Sequence, residues 1–278
     1  MRPNRTRLKV KFALRHIRSV RLGIKDMFDI EQILNAWYST HLPDVTNTTV
    51  TTQQARDWAR VSVHIGDINR FNTALGRLYA DAYVLGEDLT DYEIARAVGL
   101  KKATTPNKKQ LVRALGINWD KWKPGNRAAA NLVNPPGGLK RLLDQRKIRI
   151  GEMTNTTLNR IGTRLADGLN QGVTKREMAN LLNTVINDSE RAIIIASTEM
   201  SRAVVQASKD LYTDLGVEMV EWLNSDPCDE CQENLDASPI PIGAEWPNGD
   251  PPVHPNCMCD IAPYVIDTQD WAWFNEQE

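Results

Sequence analysis

Apolar residues recur at helical spacing along most of this chain. Ile30, Ile33, Leu34 and Trp37 make one stripe and predict a helix. Thr51 with Gln54 has the pattern of a capping box, and Trp58, Val61 and Ile65 then fall on one helical face. A third helix is predicted over 68–85 from Phe71, Leu75, Leu78, Ala82 and Leu85, with Gly86 as its C-cap. The pattern resumes at Leu158, Ile161, Leu165 and Leu169 and stops near Gly172. Thr174 and Glu177 open the next helix, which carries Met178, Leu181, Leu182 and Val185. Asp188 caps a long helix that runs to about Leu215, with Gly216 as its stop. The period changes in three places. Leu8, Val10, Phe12 and Leu14 alternate with Lys9, Lys11, Ala13 and Arg15, which is a period of two, before Ile17, Val20 and Leu22 return to helical spacing. Residues 216–223 read as a strand, and 261–266 read as a second.

Charge adds an organisation that the apolar pattern does not show. The formal net charge is −1, but all 34 Lys and Arg lie at or before Lys209, against 19 acidic residues there, a net +15; residues 210–278 carry 16 acids and no Lys or Arg. Such a split predicts a basic body that meets something acidic and an acidic terminal module. Residues 1–25 hold nine basic residues and no acid and read as an arm, either solvated or docked on an acidic protein or nucleic acid. Residues 26–95 read as a helical region. Residues 96–149 hold 14 Lys and Arg against Asp120 and Asp144, and Pro106, Pro124, Pro135-Pro136 and Gly137-Gly138 interrupt them. This segment reads as a basic connector. Trp119 and Trp122 stand among its lysines, a combination that suits stacking on bases with phosphates nearby, or a clamp on an acidic protein, or a solvated linker. The candidate binding residues are Lys101, Lys102, Lys108, Lys109, Arg113, Lys121, Lys123 and Arg127. No run of about 18 apolar residues occurs, so no membrane-spanning helix is predicted, and no apolar stretch of signal-peptide length follows the basic start.

The four cysteines, Cys228, Cys231, Cys257 and Cys259, lie within 32 residues of one another. Cys228-x2-Cys231 is followed after 22 residues by His254-x2-Cys257, then Cys259. Two short pairs that each bite from a tight turn can close a tetrahedral shell, which points to a structural zinc site on Cys228, Cys231, His254 and Cys257, with Cys259 as an alternative ligand. Free thiols or disulfides are the alternatives. Six of the 14 prolines fall between Pro239 and Pro255, and so stiff a loop loses less entropy when metal closes it. A catalytic zinc would need an open position and a base, for which only Asp226 or Asp229 is at hand. Ser197, Thr198 and Ser201 have no histidine near them in sequence, and no Gly-rich phosphate loop is present, so no enzymatic activity is expected. The predicted fold is mainly α: an N-terminal helical region, a basic connector, a helical hairpin or bundle, and a small C-terminal α+β zinc-binding-like module at 217–265.

The run Ile195-Ala-Ser-Thr-Glu-Met-Ser-Arg-Ala203, then Trp222, then Cys228-Asp-Glu-Cys231-Gln-Glu-Asn-Leu235, then Pro251-Pro-Val-His-Pro-Asn-Cys257-Met-Cys259 resembles the phage head morphogenesis family, the Mu protein F-like minor capsid proteins. The resemblance spans about residues 150–265 and defines a domain at 150–278 with an acidic tail. Met258 stands where the family commonly has Arg, and Asp236-Ala237 where a Gly is common; neither is a proposed ligand. The resemblance implies a few-copy protein of the tailed-phage virion. It would act in procapsid assembly at the portal or inner shell, with portal, capsid or scaffolding protein as partners, and in DNA packaging or ejection. Two other classes stay open: a zinc-dependent nuclease or hydrolase, and a zinc-containing nucleic-acid-binding protein. The acidity of the cysteine module weighs against the second, because it repels phosphate.

Overall fold

The computed structural model describes residues 5–41, 49–97, 135–224 and 227–264. The described chain is mainly helical with a small C-terminal strand region. The helices are α1 (Arg5–Met27), α2 (Ile30–His41), α3 (Thr52–Ser62), α4 (Asn69–Ala97), α5 (Gly137–Asn170), α6 (Lys175–Ile186), α7 (Ser189–Leu215) and α8 (Asp229–Asp236), and the strands are β1 (Met219–Leu223), β2 (Ile240–Pro241) and β3 (Asp260–Pro263). The chain divides into two compact units. One comprises Met1–Ala13, Leu78–Leu142 and Ser197–Glu278, and the other Leu14–Arg77 and Leu143–Ala196.

In the second unit, both capping boxes form: Thr51 and Thr174 each accept the N3 backbone N–H while Gln54 and Glu177 reach back. Trp37 is fully buried, stacked on His41 at 3.7 Å and edge-on to Trp58 at 4.7 Å. The predicted face of α3 is corrected. The helix ends at Ser62, Val61 is 88% exposed, and the buried residues are Ala55 and Ala59. The reason is a close crossing: a Cβ on Gly162 would lie 2.6 Å from the Arg56 Cα, and only small side chains fit there. Arg56 donates to Thr163 and Arg60 to Asn159 along the same contact. Asp188 caps α7 through the Arg191 N–H and is held by Arg160 at 2.7 Å.

Three further sequence expectations give way. The period-two stretch at 8–15 is helical, part of α1, and Ala13, Val20, Ile24 and Met27 are buried along it. Tertiary burial of one stripe overrides the local alternation. Gly86 does not end a helix, because α4 runs on to Ala97. A Cβ at Gly86 would sit 2.6 Å from the Val204 carbonyl, so this glycine serves the close packing of α4 on α7. The expected break at Pro135-Pro136-Gly137-Gly138 is instead the start of α5. The Pro136 carbonyl accepts the Lys140 N–H, and the Asp210 carboxylate occupies the space a Cβ on Gly138 would need. Proline just before a helix costs it no hydrogen bond, so the same residues that read as a breaker serve as an N-terminus.

The first unit carries the C-terminal module. Gly216 stops α7 at φ +80°, and the Val217 N–H closes the cap on the Tyr212 carbonyl. The chain then enters a three-stranded antiparallel sheet of order β2-β1-β3, with Val220 opposite Ile240 and Trp222 opposite Ile261. Tyr212, Leu215, Val220, Trp222, Trp246 and Ile261 share one buried cluster with Cys231, Cys257 and Cys259. The module therefore has an apolar core that includes three of the four cysteines, while Cys228 is exposed.

Candidate metal centre

The C-x2-C pair is set by the start of a helix. Cys228 is the N-cap of α8 and stays exposed, whereas Cys231 lies in the first turn and is 1% exposed. The backbone and thiol of Cys231, together with the charge of His254, draw the Cys228 thiol below its usual range. Burial pushes the Cys231 thiol up to about 12.

The second pair is set by a turn. Asn256 adopts φ +61°, the Cys257 N–H bonds the His254 carbonyl at 3.2 Å, and the Thr198 hydroxyl of α7 accepts the Asn256 N–H at 2.8 Å. Asparagine tolerates this left-handed backbone better than most residues. The His254 Nδ1 lies 2.9 Å from the Pro255 carbonyl. With the proton on Nδ1, that carbonyl accepts it, and Nε2 presents its lone pair to Cys228 Sγ at 3.3 Å and Cys231 Sγ at 3.5 Å. The same carbonyl holds the imidazole pKa above its ordinary value, with the Cys257 and Cys228 thiolates adding to it against burial.

Cys231 joins two overlapping groups. One is Cys228, Cys231 and His254; the other is Cys231, Cys257 and Cys259, all buried. Cys231 Sγ lies 3.8 Å from Cys257 Sγ and 3.4 Å from Cys259 Sγ. A tetrahedral ion with metal–sulfur bonds of about 2.3 Å and metal–nitrogen bonds of about 2.0 Å needs edges of about 3.8 Å between sulfurs and about 3.5 Å from sulfur to nitrogen. The Cys231–Cys257 and Cys231–His254 distances match those edges. These cysteines and His254 could therefore hold a metal ion. Between the two later cysteines, Cys259 acts as donor: its thiol and backbone N–H, against the effect of burial, bring Cys257 down to about 5, while Cys259 itself is pushed up. The Asn224 side chain donates to Cys259 Sγ at 3.0 Å.

The sequence-predicted residues Cys228, Cys231, His254, Cys257 and Cys259 thus fall into two groups of three that share Cys231. Lys101, Lys102, Lys108, Lys109, Arg113, Lys121, Lys123 and Arg127 lie outside the described residues, as does Asp226. Asp229 is exposed on α8. Sequence reasoning missed Thr198, Asn224 and, most of all, Lys9. Lys9 is fully buried in the first unit. It pairs with Asp260 at 2.8 Å and donates to the Ser201 hydroxyl at 3.1 Å and the Cys259 carbonyl at 3.2 Å. The available signal was its place on the apolar face of α1, four residues before Ala13. Glu199 and Arg202, three apart on α7, approach to 3.6 Å, and the Tyr79 hydroxyl donates to the buried Glu199 at 2.5 Å.

Comparison of the chain with family models, with curated proteins and with solved structures gives no match.

Proposed function

We propose that this chain is a minor capsid, head morphogenesis protein of a tailed bacteriophage, and that its C-terminal module is built on one structural zinc ion. One observation carries the reading. The separated sequence pieces that resemble the Mu protein F-like family meet in a single module and depend on one another. Thr198 of the Thr-Glu run accepts the backbone N–H of Asn256 in the His-Pro-Asn-Cys turn. Trp222 packs edge-on against Trp246 at 5.0 Å, and Cys228 and Cys231 face His254. Pieces that recur together in order would be kept together by such mutual dependence.

Clustered sulfur and nitrogen donors suit zinc better than the oxygen-seeking Mg²⁺ or Ca²⁺. Cys228, Cys231, His254 and Cys257 would fill the shell, with Cys259 adjacent as the alternative fourth ligand. A filled shell has no position for substrate or water, so the ion acts in folding rather than hydrolysis, and the protein works by assembly, not turnover. The basic body would meet an acidic portal or inner-shell surface, or DNA, inside the phage head; no membrane is involved.

The test is isolation of procapsids and virions from infected cells, followed by cross-linking and mass spectrometry. The protein should be present in few copies and cross-linked to portal, capsid or scaffolding protein. Its absence from both particles would refute the reading. Elemental analysis of the purified protein should give one zinc per chain, and metal-free protein folded under reducing conditions would refute the zinc.

A further inference from the structure

The ammonium of Lys9 donates to the Ser201 hydroxyl at 3.1 Å and the Cys259 carbonyl at 3.2 Å and forms an ion pair with the Asp260 carboxylate at 2.8 Å, all in the first unit. Lysine is almost never wholly buried unless paired, and here both side chains of the ion pair are withdrawn from water, at 0% and 4% exposure. Two of these contacts fall on consecutive residues at the end of the ligand segment. Cys259 and Asp260 lead from the His254–Cys257 turn directly into β3, which pairs with β1 with Asp260 opposite Leu223. The Cys259 thiol lies 3.4 Å from Cys231 and receives the Asn224 side chain. A residue near the start of the chain thus grips the main chain where the thiols of Cys257 and Cys259 are aimed.

We infer that Lys9 is a positioning residue of the metal centre: through the Cys259 carbonyl and the Asp260 carboxylate it fixes the segment that carries Cys257 and Cys259 into β3, so that residues 5–13 and the metal site form one cooperative element. The inference rests on the metal reading above. It gives the basic arm a second role, since docking of residues 5–13 and retention of the ion support each other. Partners in the outer shell that orient metal ligands are worth about 10–100-fold in metal affinity when removed.

The experiment uses the full chain, the Lys9→Met variant and the double variant Lys9→Met/Asp260→Leu. The double variant leaves no buried charge without its partner, which guards against simple misfolding. Each is loaded with zinc, and release to a chromogenic chelator is timed. Each is also loaded with cobalt(II), whose visible absorption reports ligand geometry. Both variants should lose zinc about 10–100-fold faster than the parent and show altered cobalt bands, while their far-ultraviolet circular dichroism stays helical. Chelation of the parent should also raise amide hydrogen exchange in residues 5–13. A double variant with the parent's release rate and cobalt spectrum would overturn the inference and leave Lys9 a partner in packing alone. A parent that binds neither zinc nor cobalt would overturn the metal reading itself and this inference with it, and the parent's own metal content distinguishes the two failures.

Discussion

Asp188 shows what one carboxylate does in the second unit. Burial works against its charge, but the Arg160 guanidinium at 2.7 Å and the Arg191 backbone N–H hold its pKa below the ordinary carboxylate value. Behind it, burial and then the nearby Arg160 lower the Arg191 guanidinium to about 10. Because the folded-state pKa of Asp188 is depressed, the unfolded chain binds more protons in acid. Its contribution is complete above the unfolded carboxylate value and is lost as pH falls through the folded one. Asp188→Asn should therefore lower stability at neutral pH and flatten the acid limb of the stability profile. Urea unfolding at several pH values checks this. An acid limb as steep as the parent's would count against the role given to Asp188.

At the scale of elements, one close contact overrides local propensity. Glycine inside a helix normally costs about 0.5–1 kcal/mol relative to alanine, so Gly86→Ala in mid-α4 would ordinarily stabilise. Here a Cβ would meet the Val204 carbonyl at 2.6 Å and the Ala207 Cβ at 2.8 Å. The helices would have to separate, and overpacking of this kind costs about 1–3 kcal/mol. A lower urea midpoint for Gly86→Ala is the expected result, and an unchanged or higher one would show that α4 and α7 can part freely. The cysteine module makes a different demand. Its strands have five, two and four residues and its helix eight, lengths that hold poorly without support. Cys228→Ser or Cys257→Ser should release the ion and raise hydrogen exchange across 217–265, while helices α2 to α6 keep their protection. If Cys259→Ser loses the ion and Cys257→Ser keeps it, the fourth ligand is Cys259.

Over the whole molecule, the proposed partners rest on the separation of charge along the chain. A body with 34 basic and 19 acidic residues attracts polyanions, while the terminal 69 residues repel them. If DNA is the partner, the dependence of log K on log salt should have a slope of about −0.9 for each phosphate neutralised. Replacing Lys101, Lys102, Lys108 and Lys109 together with Ala should flatten that slope and weaken binding to all sequences alike, because phosphate contacts carry no base information. If the partner is an acidic portal surface, the same variant should fold normally and fail to enter procapsids. A variant that matches the parent in both assays would make these lysines a solvated surface.

The sequence by itself determined the features that depend on near neighbours. Both capping boxes, the Asp188 cap and the Gly216 stop rest on contacts within a turn or two, so their residues announced them. The five residues that could hold a metal ion were legible for a similar reason: each short pair is a local bite, and few other spacings of cysteine and histidine allow one. What needed contacts distant in sequence was not legible. Gly86 reads as a cap until Val204 stands against it, and Pro136-Gly137-Gly138 reads as a break until the Asp210 carboxylate fills the space over Gly138. The alternation at 8–15 reads as extended until α1 buries its other periodicity. Lys9 reads as one more surface charge until Asp260, some 250 positions away, pairs with it. Local hydrogen bonding is encoded within a few residues, but desolvation and close approach belong to whichever distant segment arrives, and only the tertiary structure decides which one that is.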